Sequence, residues 1–474
     1  MILDTQSLLS DLPSRRWFGA KGRDLASVEV RDRTVVDDGP PALVVALVDV
    51  HYAGGGSDLY HLPLLVSEDG SARDAFDDVE RLRVFGELMA HGVTLKGELG
   101  AFHFGGPGLD PMAPPGSGSI RAVKAEQSNT SVIFDESVIF KVFRRVESGP
   151  NPDLELNSAL TNEGFPHIPP QVGEAIYETT IEGEETTIDL GIAQRFVGDS
   201  EEGWTKVTRE LHRFYDEIDE ADAKEDIRFL TEQRLGDLLE LLDQLGDVTA
   251  AFHVSLARDS LDAGIAPEPV AEADLTGWAE ATRAWMDRLL AEGVTEIADL
   301  RSEIESRVEA LAELPAEGNK TRVHGDYHLG QVLLGPQGWL MIDLEGEPAR
   351  SLEFRRSKQS PLKDVAGMLR SFSYAALATL FDRGEPDSPE WERLLPWATT
   401  WERLARDRYL TAYLGKAHEG RYLPADRDRV MVLLDVFEID KALYELHYER
   451  NHRPDWIRIP LRGIVDVIER GNQR

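Results

Sequence analysis

The sequence predicts an α+β protein with a β-rich N-terminal part and a mainly helical C-terminal part. Three observations carry that expectation. Strand-length apolar runs separated by Gly/Pro turn clusters follow one another from Ser27 to Phe143. Leu235, Leu238, Leu239, Leu242, Leu245, Val248 and Phe252 then recur at helical spacing, and such segments dominate the chain beyond about residue 200. Finally, 474 residues exceed what one hydrophobic core serves, so two or three units and a cleft between lobes are expected.

Composition excludes several classes. A hydrophobic content of 42% with mean hydropathy −0.32 belongs to a folded globular chain. No stretch approaches the roughly 18 uninterrupted apolar residues of a membrane helix, and the opening MILDTQSLLSDLPSRRW lacks the pattern of a secretory signal. A cytoplasmic protein without a membrane partner is expected. The absence of cysteine removes disulfides, thiolate ligands and a cysteine nucleophile. With 51 Lys+Arg against 86 Asp+Glu, the net charge of −35 disfavours nucleic acid. This acidity suits either plain decoration of solvated faces or a high-salt cytoplasm that screens self-repulsion, and the second is the expectation. The one basic cluster runs from Arg15 to Arg23, and a partner or a neighbouring domain are both open as its contact.

Residues 1–90 read as a small cap subdomain. Its strands are expected over Ser27–Val35, Ala42–Tyr52 and Tyr60–Val66, split by turns at Asp37–Pro41 and Gly54–Ser57. Residues 91–197 read as a second β-rich subdomain. It is entered through Gly105–Gly108 and Pro114–Ser119 and has strands over Ile120–Lys124, Val132–Phe134 and Ser137–Phe143. Asn151-Pro152 opens a helix by N-cap and first-turn chemistry, with Glu155 in its first turn. Residues 198–474 form the helical part.

The segment from Val323 to Gly346 reads as loop, strand, turn, strand, loop. A hairpin brings its ends together, so Asp326 and Asp343 face one small volume, with Gln331 beside them. Phosphoryl transfer needs a carboxylate to accept the attacking hydroxyl's proton and oxygen ligands for Mg²⁺ on the phosphates. Asp326, Gln331 and Asp343 supply those groups; each alone would read as a turn or a strand-end cap. Lys141 in an apolar strand, paired with Glu155, matches the phosphate-binding half of such a site.

At these residues the sequence resembles the aminoglycoside phosphotransferase-like branch of the protein-kinase fold, and within it the maltokinases. The motifs are His324-Gly325-Asp326-x-His328-Leu329-Gly330-Gln331, Glu345-Gly346-Glu347-Pro348, Ser360-Pro361-Leu362-x-Asp364-Val365-Ala366-Gly367 and Tyr444-Glu445-x-x-Tyr448-Glu449. The resemblance covers nearly the whole chain. It implies a bilobal protein-kinase-like fold with an N-terminal cap, an intermediate ATP-binding subdomain and a C-lobe holding catalytic loop and sugar pocket. It also implies Asp326 as base and Gln331, Asp343 and Glu345 as Mg²⁺ ligands, with Gln331 in place of asparagine and Leu344 where related motifs often have phenylalanine. For ATP it implies Lys141 with Glu155, the turn residues Ser128, Asn129 and Thr130, and the backbone near Gln194 and Phe196.

For the acceptor, the resemblance points to His328, Tyr444, Glu445, Tyr448, Asn451 and Arg453. If the C-terminal segment is helical up to Pro454, Tyr444 with Tyr448 and Glu445 with Glu449 fall one turn apart on adjoining stripes. Composition alone would make them packing and surface pairs. Asp364 is expected to pin the active-site loops, and His253 to be a packed core histidine. The implied activity is ATP-dependent phosphorylation of maltose to maltose 1-phosphate, feeding trehalose and α-glucan metabolism. The alternatives are a glucosamine or other aminosugar kinase on the same scaffold, and a non-catalytic partner of trehalose synthase.

Overall fold

The strand Ala42–Tyr52 is apolar on both faces and is covered on both. Alternation sends Leu43, Val45 and Leu47 into one core with Phe85, Met89, Phe102 and Phe140. It sends Val44, Ala46, Val48 and Val50 into another with Leu8, Trp17 and Phe18. A computed structural model describes residues 3–106, 108–123, 128–181, 183–219 and 226–472. The chain divides into two compact units, residues 1–164, 168–199 and 348–352 in the first and 165–167, 200–347 and 353–474 in the second.

The first unit holds β1 Leu25–Asp37, β2 Ala42–Tyr52, β3 Ser57–Val66, β4 Ala72–Asp74, β5 Thr94–Lys96, β6 Gly100–Gly105, β7 Ile120–Ala122, β8 Thr130–Phe134, β9 Val138–Val142, β10 Arg145–Val146, β11 Gln171–Ile181 and β12 Glu184–Arg195. One antiparallel sheet runs β1-β2-β3-β10 with β4 also on β3, and a seven-stranded one runs β5-β6-β11-β12-β9-β8-β7. The short β10 strand belongs to the first sheet although its neighbour β9 belongs to the second, so the two sheets share one unit. Helices α1 Thr5–Asp11, α2 Arg83–His91 and α3 Pro152–Asn162 accompany them. Asn151 caps α3 as its sequence predicts, its side chain accepting from the Asp153 amide at 2.8 Å. Of the strand expected over Ile120–Lys124, residues 124–127 lie outside the described residues.

The basic cluster is absorbed by this unit at Arg15 and Trp17, while Arg16, Lys21 and Arg23 are exposed. Arg15 pairs with Asp11 and Asp77, each at 2.7 Å. Trp17 Nε1 donates to Asp74 at 3.2 Å, and the fully buried Arg144 lies 4.5 Å over the Trp17 ring while pairing with Asp74 at 2.9 Å.

Chain order continues with α4 Gly203–Glu217, α5 Ile227–Arg234, α6 Gly236–Leu256, α7 Glu272–Ala291, α8 Thr295–Ala312, α9 Leu352–Arg356, α10 Leu362–Phe381, α11 Pro389–Ala417, α12 Arg427–His452 and α13 Arg458–Asn472. The helical spacing from Leu235 to Phe252 becomes α6, whose buried face carries Leu238, Leu242, Leu245 and Phe252. Its strands are β13 Glu201–Glu202, β14 Glu268–Pro269, β15 Asn319–Lys320, β16 Val332–Gly335 and β17 Gly338–Met341, and β16 pairs with both β13 and β17. No helix among the described residues is long and apolar enough to cross a membrane.

Removing one partner of a buried ion pair leaves an uncompensated charge, a loss of about 3–5 kcal/mol, whereas replacing both by apolar groups is far milder. Asp74→Ala is therefore expected to destabilise the first unit by that amount, seen as a lower urea midpoint at an unchanged slope. Asp74→Leu with Arg144→Met should recover most of it, as followed by tryptophan fluorescence.

Candidate active site

The loop His324–Gly330 is held from below by one carboxylate. Asp364, in the first turn of α10, is 2% exposed. Its Oδ2 accepts from the His324 amide at 2.8 Å and its Oδ1 from the Gly325 amide at 3.0 Å. His253 Nε2 lies 3.0 Å from Oδ2, and His253 Nδ1 2.9 Å from the Tyr413 hydroxyl. Burial pushes this carboxyl up, but the His253 and loop hydrogen bonds outweigh it and hold Asp364 below the usual 3.8. Both structural assignments made from sequence stand here: Asp364 pins the loop, and His253 is a buried, hydrogen-bonded core residue. Gly325 takes φ +82°, a left-handed turn in which a Cβ would meet Gly346 Cα at 3.2 Å.

The hairpin forms as the spacing predicts. Strands β16 and β17 pair antiparallel, and the Ile342 amide donates to the Gln331 carbonyl at 3.0 Å. This brings Gln331 Nε2 to 3.3 Å from Asp343 Oδ2. Asp343 itself sits at φ +62°, a conformation that a non-glycine residue adopts at a cost. One carboxylate and one amide oxygen suit Mg²⁺, which takes few protein ligands and completes its shell with phosphates and water. Among the described residues no group of three His, Asp or Glu side chains gathers as a closed metal site. Glu345 is buried, and its carboxylate lies 3.4 Å from Arg355 Nη1, so it braces the segment after Asp343.

In the first unit, Lys141 Nζ lies 2.9 Å from Asp153 Oδ2. Sequence reasoning paired Lys141 with Glu155 and did not name Asp153, which is 1% exposed in the same first turn. Asp153 also accepts from Asn157 Nδ2 at 2.8 Å, and Asn157 Oδ1 from Gln194 Nε2 at 2.9 Å. Gln194 thus orients the lysine's partner through its side chain. The next amides are occupied as well: Arg195 donates to Pro170 and Phe196 to Ser137, both at 2.9 Å, while Arg121 lies 5.3 Å over the Phe196 ring. The turn residues also differ from expectation. Asn129 is 3% exposed, and Arg144 donates to Asn129 Oδ1 at 3.3 Å and to Thr130 Oγ1 at 2.8 Å. The bond to Asn129 comes from the Arg144 backbone amide and the bond to Thr130 from its buried guanidinium, which needs acceptors, so both side chains are held inward. Ser128 alone of the three is exposed.

A 450 Å³ pocket in the second unit is lined by Asp326, His328, Tyr444, Glu445, Tyr448 and Arg453 of the expected residues. Helix α12 runs to His452, with Tyr444 and Tyr448 and Glu445 and Glu449 one turn apart. Both carboxylates are compensated. Glu445 pairs with the buried Arg370 at 2.9 Å, and Glu449 accepts from the Tyr374 hydroxyl at 3.0 Å and from Arg453 Nη2 at 2.6 Å. Burial holds Glu445 above the usual carboxylate range despite Arg370.

His328 Nδ1 accepts from the Gly330 amide at 3.0 Å, and burial lowers its imidazole below the usual 6.5. That leaves a neutral ring with Nε2–H as a donor. Asn451 does not line the pocket: it is exposed, and its amide bonds back to the His447 carbonyl at 2.8 Å. Sequence reasoning missed Lys441, whose Nζ lies 3.9 Å from Asp326 Oδ1, and Trp204, Tyr374 and Trp456 in the same wall. Lys441 stands one turn before Glu445 on the same helix, and that spacing was the available signal.

Residues 12–91 match the maltokinase N-terminal cap domain, and residues 203–347 the phosphotransferase enzyme family. The chain is 24% identical over 360 residues to the glucosamine kinase of Mycolicibacterium smegmatis (strain ATCC 700084 / mc(2)155), covering 74% of this chain and 80% of that protein. It is 25% identical over 360 residues to the glucosamine kinase of Streptacidiphilus jiangxiensis, covering 73% of each. A solved glucosamine kinase in complex with glucosamine, ADP and inorganic phosphate has the same fold, with a TM-score of 0.68 at 19% identity over 98% of this chain and 100% of that one. The expected fold, sheet-rich in its N-terminal part and helical in its C-terminal part, is the phosphotransferase fold. Residues similar to the maltokinase N-terminal cap domain thus precede residues similar to the phosphotransferase enzyme family, and with glucosamine kinases among the relatives this supports a sugar kinase.

Proposed function

We propose that the chain transfers the γ-phosphoryl of ATP to the anomeric hydroxyl of maltose, giving maltose 1-phosphate and ADP in the cytoplasm. Asp326 is the base that takes the hydroxyl proton, and the phosphorus–oxygen bond to ADP breaks as the bond to the sugar oxygen forms. Lys141, oriented by Asp153, meets the α/β-phosphates. Asp343 and the Gln331 amide oxygen hold Mg²⁺, which supplies positive charge over the phosphate oxygens; Gln331 presents that oxygen by turning its amide over. Neutral His328 donates Nε2–H to a sugar hydroxyl, and Tyr444, Tyr448 and Trp204 offer flat faces to the rings.

The observation that carries maltose over an aminosugar is the charge of the pocket. An ammonium group wants an uncompensated carboxylate, yet on α12 Glu445 and Glu449 already hold arginines and Lys441 stands beside the base, which leaves Glu202, accepting from the Thr205 hydroxyl at 3.2 Å, as the lining acid with no cation paired to it among the described residues. A neutral acceptor avoids the repulsion. The named relatives favour the second reading, glucosamine, which the same catalytic residues would serve. The paired Lys141 and the assembled Asp326, Gln331 and Asp343 argue against a non-catalytic partner of trehalose synthase.

Selective ADP release with maltose, over glucose and glucosamine, is expected with Mg²⁺ present, and with a higher rate in molar KCl than in low salt. Asp326→Asn should reduce it by about 10²–10⁴-fold, the contribution of a general base. Lys441→Met should shift kcat/KM about tenfold toward glucosamine relative to maltose, a change of about 1.4 kcal/mol. Asp364→Asn, which turns a donor toward the loop amides, is expected to lower kcat about 10²-fold with a small change in KM for ATP.

A further inference from the structure

Outside the acceptor pocket, the second unit has a groove of 690 Å³ where α11 ends and α12 begins. Its floor is apolar, made by Leu414, Ala417, Leu423, Pro424 and Val430. The only ionisable side chains lining it are His418, Arg421 and Arg427. That is unusual in a chain of net charge −35. Of the acids nearby, Glu317 lies 2.5 Å and Asp426 3.6 Å from Arg429, while Glu419 and Asp428 are exposed and do not line the groove. Among the described residues no carboxylate pairs with Arg421 or Arg427. Arg421 moreover takes φ +52°, where a glycine would be unstrained, so a long cationic side chain is kept at a backbone position that disfavours one.

We propose that this groove is a second binding site, for a small organic anion with an apolar body, and that its occupancy bears on the catalytic loop. The size falls within the roughly 300–1,000 Å³ of small-molecule sites, and an apolar lining with a few convergent polar groups is their usual make-up. The route to the loop is contiguous. Tyr422, between the lining residues Arg421 and Leu423, is buried with its ring 5.9 Å from that of His253. Its position is tight, since a Cβ on Gly420 would meet the Tyr422 ring at 2.4 Å. His253 in turn holds Asp364, which fixes the His324 and Gly325 amides. An anion drawing Arg421 inward moves the residue next to Tyr422, and through it the pin beneath Asp326.

The test uses the full chain and 8-anilinonaphthalene-1-sulfonate, an apolar body carrying one anionic group. Expected is one saturable fluorescence site per chain that persists with ATP, Mg²⁺ and maltose present. Its dissociation constant should rise tenfold or more in Arg421→Glu with Arg427→Glu, and also in Ala425→Trp, which fills the groove without changing its charge. Circular dichroism should show all variants folded. Undiminished binding in both variants, or displacement of the probe by ATP, overturns the site. The binding readout needs no acceptor, so it stands or falls apart from the maltose reading. At saturating probe, ADP release should change at least twofold in the parent chain and stay constant in the double variant; an unchanged parent rate overturns the link to the loop.

Discussion

The loop His324–Gly330 depends on a carboxylate that does not line the pocket beside it. Asp364 is buried, and a bare ion there would be costly; two backbone amides and the His253 ring make it tolerable. Because its oxygens accept from consecutive amides, it fixes the peptide planes on either side of His324 and thus how the chain enters the Gly325 turn that leads to Asp326. His253 is fixed from behind by Tyr413, and Thr249 Oγ1 lies 2.8 Å from the Tyr327 hydroxyl in the same layer. Helix α6 therefore supplies two polar side chains to the underside of the loop, which explains why its otherwise apolar face includes Thr249 and His253.

The acceptor pocket follows the same logic of paired charge. Its wall on α12 presents two glutamates, each with an arginine brought from a different place: Arg370 from α10 and Arg453 from the end of α12 itself. The pairs are rigid as well as neutral, since Arg370 also donates to the Ile459 carbonyl at 3.4 Å and Tyr374 to Glu449. Rigid polar groups beside aromatic faces orient hydroxyls without attracting a net charge. Lys441 is the exception, half-buried near the base, and so it bears on both the base and the kind of acceptor.

Sequence made the C-terminal half of the site legible because its residues are local. Asp326, Gln331 and Asp343 are linked by one hairpin, and hairpin geometry follows from turn chemistry. The stripe Tyr444, Glu445, Tyr448, Glu449 follows from helical spacing, while its place in a pocket came from the resemblance alone. What sequence could not show were partners supplied from afar. Arg144 captures Asn129 and Thr130 across the β8–β9 hairpin, and Asp153, two residues before Glu155, is the carboxylate recorded with Lys141. Two carboxylates in one helical turn cannot be ranked without knowing which faces the sheet. The long β11 and β12 strands escaped notice for a related reason. Their outer ends, Thr179-Thr180 and Glu184-Glu185-Thr186-Thr187, are polar, so alternation is visible only toward the core end, where Ile188, Leu190 and Ile192 are buried.

Where the arginines go bears on the acidity of the whole chain. Interior pairs such as Arg144 with Asp74, Arg370 with Glu445 and Arg406 with Glu438 take basic groups from a small supply, 51 against 86 acids. Arginine suits these places because its planar fork can meet a carboxylate with two parallel hydrogen bonds and stays charged when buried. The excess acid then falls on the solvated faces, where like charges repel and salt relieves the repulsion within a Debye length of about 8–10 Å. Against such a surface, a groove lined by Arg421 and Arg427 and by no carboxylate offers an anion two guanidinium groups, and the anions suited to it are those able to shed water against an apolar floor.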